Sequence, residues 1–116
     1  SSSAKLYILV RNDIPVPDQA AQMCHAAEIH GIRDANESGP WGTSGLTTTV
    51  LLSVDNEVQL NLWIRKIDQR GYGHKVVEIK EPDMGNQLTA IAYRTDSNIF
   101  SRLSLWTGEP KGDPVY

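Results

Sequence analysis

Gln22 and His25 stand three residues apart in the segment Ala20-Ala21-Gln22-Met23-Cys24-His25-Ala26-Ala27. Residues three and four apart are neighbours on a helix surface, so Asp18, Gln22 and His25 share one helical face. Ahead of them lies Arg11-Asn12-Asp13, the polar exit of the apolar run Leu6-Tyr7-Ile8-Leu9-Val10. Far downstream lies Glu81-Pro82-Asp83-Met84-Gly85. An imidazole, a carboxylate, an amide and a guanidinium suit hydrolysis of an acyl or ester bond by activated water. Asp83 or His25 takes the proton, while Gln22, Arg11 and the free amides of a helix's first turn hold the developing oxyanion. No serine has the elbow motif of a covalent nucleophile.

Each of these residues also has a plain structural reading. His25 is a packed or exposed helix residue, Asp83 a turn residue, and Arg11 with Asp13 a surface ion pair of little worth. Cys24 falls on a stripe of small residues with Ala20, Ala27 and Gly31, which favours packing over reactivity. His25 and His30 are five apart, the wrong helical spacing for a shared metal, and one cysteine makes a zinc site improbable. Trp41, in its Gly-Pro loop, stacks on a base or covers a helix end.

These side chains need elements to hold them. Residues 5–11 read as a buried strand, a short apolar run with polar bounds. Ile14-Pro15-Val16-Pro17 is extended, because each proline biases its predecessor away from the helical region. A helix then starts near Pro17 or Asp18. Residues 36–45 form a loop, and Leu46 to Val54 is a β-branched, apolar strand. Asp55 caps a second helix, whose apolar face is Leu60, Trp63, Ile64 and Ile67, closed by a left-handed Gly71. Lys75 to Lys80 and Gln87 to Arg94 are the third and fourth strands. Ser97 caps a third helix through Leu105, ended by Gly108. The order β-α-β-α-β-β-α predicts an α/β domain of three layers, with a four-stranded mixed sheet, over residues 4–107. Residues 108–116 are expected to be an arm or disordered tail. In such a sheet the crevice lies at the carboxyl ends of the parallel strands, where Arg11, Asp13, Gln22, His25 and Asp83 converge.

Composition bounds the function. A chain of 116 residues is long enough for a real core without disulfide staples. A single cysteine makes no internal disulfide. No apolar stretch approaches ~20 residues and no signal peptide is visible, so a cytoplasmic protein away from membranes is expected. The net charge of −3 argues against non-specific nucleic-acid binding. Any RNA site has to be local, built from residues such as Arg11, Lys75, Lys80 and Arg94.

The motif set resembles the archaeal and eukaryotic (type II) peptidyl-tRNA hydrolases. The match runs over roughly residues 5–105. It rests on Leu9-Val10-Arg11-Asn12-Asp13, on Ala20 to Ala27, and on Asp83-Met84-Gly85 before the last long strand. The resemblance implies hydrolysis of the ester joining a peptide to the 3′ ribose of tRNA, with no metal or organic cofactor. It implies catalytic roles for His25, Asp83 and Gln22. Arg11, Asp13, Asp18, Lys80, Asn86 and Thr89 stand as the substrate-binding set. The chain departs from the family in two places: Asp18 replaces a lysine, and the loop after Gly85 is short. In both it is similar to a divergent branch, the peptidyl-tRNA hydrolase-domain proteins. The expected partner is peptidyl-tRNA or a related RNA ester, acted on by a monomer or homodimer. The alternative is a non-catalytic module on the same fold that holds an RNA end or a protein partner.

Overall fold

The computed structural model describes residues 4–38 and 48–109. Trp41 and residues 110–116 of the expected tail lie outside them. Strand β1 (Lys5–Arg11) leads to helix α1 (Val16–Ser38), strand β2 (Thr49–Val54) and helix α2 (Glu57–Gln69). Strands β3 (Val77–Glu81), β4 (Gln87–Thr95) and β5 (Ser104–Leu105) follow, with one-turn 3-10 helices at Gly73–Lys75 and Pro82–Met84. The sheet order is β3-β4-β1-β2-β5. Strand β1 pairs in parallel with β2, while β4 is antiparallel to both β1 and β3. The directions of β1, β2 and β3 therefore agree, and Arg11, Val54 and Glu81 end at the same sheet edge.

Alternate strand residues point to opposite faces, so β1 divides two cores. Leu6, Ile8 and Val10 pack with Met23 and Ala26 of α1, and with Ala90 and Ala92 of β4. Leu9 packs with Leu60 and Ile67 of α2, and with Leu52, Ile91 and Phe100. The three alanines Ala26, Ala90 and Ala92 are wholly buried. Their lack of bulk lets α1 lie close on the sheet.

The structure corrects four expectations. The sheet has five strands rather than four, and residues 97–105 form no third helix. Instead Ser97 N–H donates to Thr95 Oγ1, and turn bonds run from Ser101 to Asn98 and from Leu103 to Phe100. Phe100 plunges between Tyr7, Trp63 and Tyr93. The chain then pairs with the open edge of β2, Leu105 opposite Leu52 and Ser104 opposite Ser53. A buried aromatic anchor and a free strand edge outweigh the weak helical preference of this segment. The cap of α2 is Asn56, not Asp55: its side chain accepts from Gln59 N–H at 3.1 Å. Lastly, α1 does not bury the stripe of Ala20, Cys24, Ala27 and Gly31. It buries Gln19, Gln22, Met23, Ala26 and His30, and leaves Cys24 exposed.

The end of α2 follows expectation. Gly71 has φ +88, its N–H bonds Asp68 O, and Tyr72 N–H reaches back to Ile67 O. This pair of bonds is the Schellman closure. A Cβ on Gly71 would meet nothing within 4 Å, so only the backbone resists substitution. Gly71→Ala should cost about 1–2 kcal/mol, the strain of a left-handed L-residue, as read by urea unfolding.

Candidate functional site

Three hydrogen-bond networks stand where the parallel strands end. The first begins at Arg11, nearly buried although charged. Its Nε and Nη2 bond the two oxygens of Asp13 at 2.6 and 2.9 Å. Its Nη1 donates to Gln87 Oε1 at 2.8 Å and to Leu88 O at 3.2 Å. The Asp13 hydrogen bond holds the guanidinium pKa above its ordinary value; burial opposes this, and the charges of Asp13 and Glu57 reinforce it. The ladder between β1 and β4 stops at the pair Val10 and Ala90. Beyond that stop, Leu88 gives its N–H to Glu57 Oε2 at 2.9 Å and its carbonyl to Arg11. Arg11 is thus a bracket between β1 and β4, with four of its five N–H groups engaged.

The second network lies under α1. Gln22 Nε2 donates to Glu81 Oε1 at 2.9 Å. The Thr89 hydroxyl stands 3.0 Å from Gln22 Oε1 and 3.1 Å from Ile79 O, and its single proton serves one or the other. The β3–β4 register shifts between Ile79 and Lys80, and Thr89 sits beside that irregularity. Above this network α1 and β3 leave a shallow cleft of about 300 Å³. It is lined by Gln22, His25, Ile29, Lys80, Glu81 and Pro82, with Glu78 and Ile79 completing the β3 wall. His25 and Lys80 are both exposed on it, and Gln22 is buried.

The third network ties the C-terminal segment to α1. Gln19, 1% exposed, donates from Nε2 to Ile14 O and accepts from Trp106 Nε1, both at 2.7 Å.

Of the residues singled out from sequence, Gln22, His25 and Lys80 come together in one cleft. Arg11 and Asp13 form a separate bracket. Thr89 is wholly buried beneath Gln22. Asp83 and Asn86 are exposed on the turn between β3 and β4, and Asp18 on the first turn of α1; none lines the cleft. Asn86 has φ +60, directly after Gly85 at φ +70, and its N–H bonds Glu81 O. It shapes the turn that reverses the chain. Sequence reasoning missed Gln19, Glu57, Glu81, Gln87 and Trp106 as partners. Glu81 alone had a signal, since Pro82 after it announces the end of β3.

No protein-family model matches the chain, and no curated protein does. A solved structure of a protein of unknown function from Agrobacterium tumefaciens strain C58 is similar to it, with a TM-score of 0.58. The two are 16% identical, and the match covers 92% of this chain and 100% of the other. At that identity the likeness speaks to the fold alone: a mixed α/β arrangement of this kind exists elsewhere.

Proposed function

We propose that the chain hydrolyses the ester between a peptide and the 3′ ribose of tRNA, or a closely related RNA ester, in the cytoplasm. One observation carries the reading: His25 and Lys80 share a cleft at the carboxyl edge of the parallel strands, the usual ligand edge of open α/β sheets. The His25 imidazole takes a proton from water as the oxygen attacks the ester carbonyl. Lys80 faces the negative charge that develops there, or a neighbouring phosphate. One Gln22 amide proton goes to Glu81, and its second is left for the carbonyl oxygen. The water oxygen ends in the peptide carboxylate, and the proton leaves on the ribose hydroxyl. Lys80 then does what Asp18 cannot, and Arg11 is too engaged to substitute.

The test is turnover of an N-blocked aminoacyl-tRNA by the purified chain. Hydrolysis is expected, with kcat/KM down about tenfold or more in Lys80→Ala for loss of one charged contact. Asp83→Asn belongs beside it: loss there would move the water-orienting role from His25 to Asp83. No hydrolysis by the folded protein would overturn the reading.

A second reading, a non-catalytic module holding an RNA end or a protein, is favoured by one observation. Gln22 and Arg11 spend most of their hydrogen-bonding groups internally, while Asp18 presents negative charge at the same sheet edge. It predicts binding without turnover, falling steeply with salt for RNA and only slightly for a protein.

A further inference from the structure

The opposite edge of the sheet carries a second cleft, of about 470 Å³. Arg70, Tyr72, Lys75, Tyr93 and Arg94 line it, with Ala4 and residues 95–97 closing the rim. It shares no lining residue with the His25 cleft. We propose that this cleft binds a nucleoside 5′-phosphate, either free or as the terminal unit of an RNA strand.

The charge distribution is the first reason. The chain is acidic as a whole, with net charge −3, yet Arg70 and Lys75 line this one cleft, while the Arg94 side chain turns to Asp34 of α1. Arg94 has Asp34 at 4.0 Å, and Asp96 is the carboxylate on the rim. Arg70 and Lys75 are exposed and make neither a salt bridge nor a side-chain hydrogen bond among the described residues. A guanidinium and an ammonium without carboxylate partners match a phosphate, the first by its fork and the second as a point charge.

Local geometry is the second. Arg70 is the C-cap of α2, and carbonyls at a helix C-terminus would ordinarily repel an anion. In this protein Ile67 O and Asp68 O are taken up by Tyr72, Gly71 and Arg70 N–H groups. The following 3-10 turn, Gly73–Lys75, sets Lys75 a few residues on, so two cations rise from one short, hydrogen-bonded segment.

The rings are the third. Tyr72 is 48% exposed, a large flat face left in solvent beside the cations. Stacking of a base on such a face is sequence-tolerant and worth the exposure. Tyr93 is buried, and that burial pushes its phenol pKa up, with Tyr72 adding to the effect. The cavity size lies within the range usual for small-molecule sites.

The experiment titrates the isotope-labelled chain with 5′-AMP, adenosine and inorganic phosphate, following backbone amide shifts. Saturable shifts at residues 70–75 and 93–97 are expected with 5′-AMP, with adenosine and phosphate each binding about tenfold more weakly or worse. Lys75→Ala and Tyr72→Ala, both at exposed positions, should each weaken 5′-AMP about tenfold, with Lys75→Arg retaining most of the affinity. His25→Ala should leave it unchanged. A 5′-phosphorylated hexaribonucleotide then identifies the source. Binding at least tenfold tighter than 5′-AMP makes the site an RNA-end site, and equal affinity makes it a site for free nucleotide. The proposal is overturned if millimolar 5′-AMP leaves residues 70–75 and 93–97 unshifted, if it shifts only residues around His25, or if neither variant weakens binding.

Discussion

Replacing His25 by alanine should lower turnover of an N-blocked aminoacyl-tRNA about 10²–10⁴-fold, the usual worth of a positioned general base. Stability should hardly change, because the imidazole is exposed and anchors no packing. The neighbouring groups sharpen the result. Glu81 is already held by Gln22 and by the Asp83 N–H, so neither moves when the imidazole is removed. A loss in kcat with KM unchanged would mark an interaction made only in the transition state. A loss confined to KM would mean that His25 only binds substrate. Unchanged kcat/KM in a folded variant would remove it from the chemistry altogether.

Gln19→Leu should destabilise the fold by about 2–5 kcal/mol. Gln19 is 1% exposed and joins two groups that lie far apart in sequence, the Ile14 carbonyl and the Trp106 indole N–H. Leucine fills most of the volume but bonds neither, and each buried orphan costs about 1–3 kcal/mol. Urea unfolding gives the number. A double-mutant cycle with Trp106→Phe should show strong coupling, because Phe removes the donor and leaves Gln19 Oε1 with nothing to accept. Additive losses would mean that the indole bond contributes nothing. Since the Trp106 backbone N–H bonds Leu51 O, the single Gln19 variant should loosen the pairing of β5 with β2 as well. Faster amide exchange at Ser104 and Leu105 would report that.

The course of β1, α2, β3 and β4 was legible because their signals are local. Leu60, Trp63, Ile64 and Ile67 recur at helical spacing, and Gly71 supplies the left-handed residue that ends the helix. The short link from Glu81 to Gln87 leaves room only for an antiparallel return, and that return makes β3 run with β1. From those directions alone, Arg11, Gln22, His25 and Asp83 belong at one edge of the sheet. The buried face of α1 was not legible. Among its described residues, two of the five that are buried are glutamines and one is a histidine, so hydrophobic periodicity pointed to the small-residue stripe instead. Polar residues on a buried face are satisfied only by partners that sequence does not display.

Which of the edge residues meet is a different kind of fact. Gln22 finds Glu81 across 59 residues, Arg11 finds Gln87 across 76, and Gln19 finds Trp106 across 87. Each pairing depends on strand register, including the shift between Ile79 and Lys80, and on the exact height of α1 over Ala90 and Ala92. The same holds for residues 97–105, whose helical pattern yields to the open edge of β2 and the pocket that takes Phe100. Spacing and caps are interactions among neighbours in the chain, so the sequence by itself determined the elements, their directions and the edge where the polar residues gather. Packing is an interaction among neighbours in space. Only the tertiary structure therefore decided that Arg11 is a bracket, that Gln22 is held from below, and that Lys80 lines the same cleft as His25.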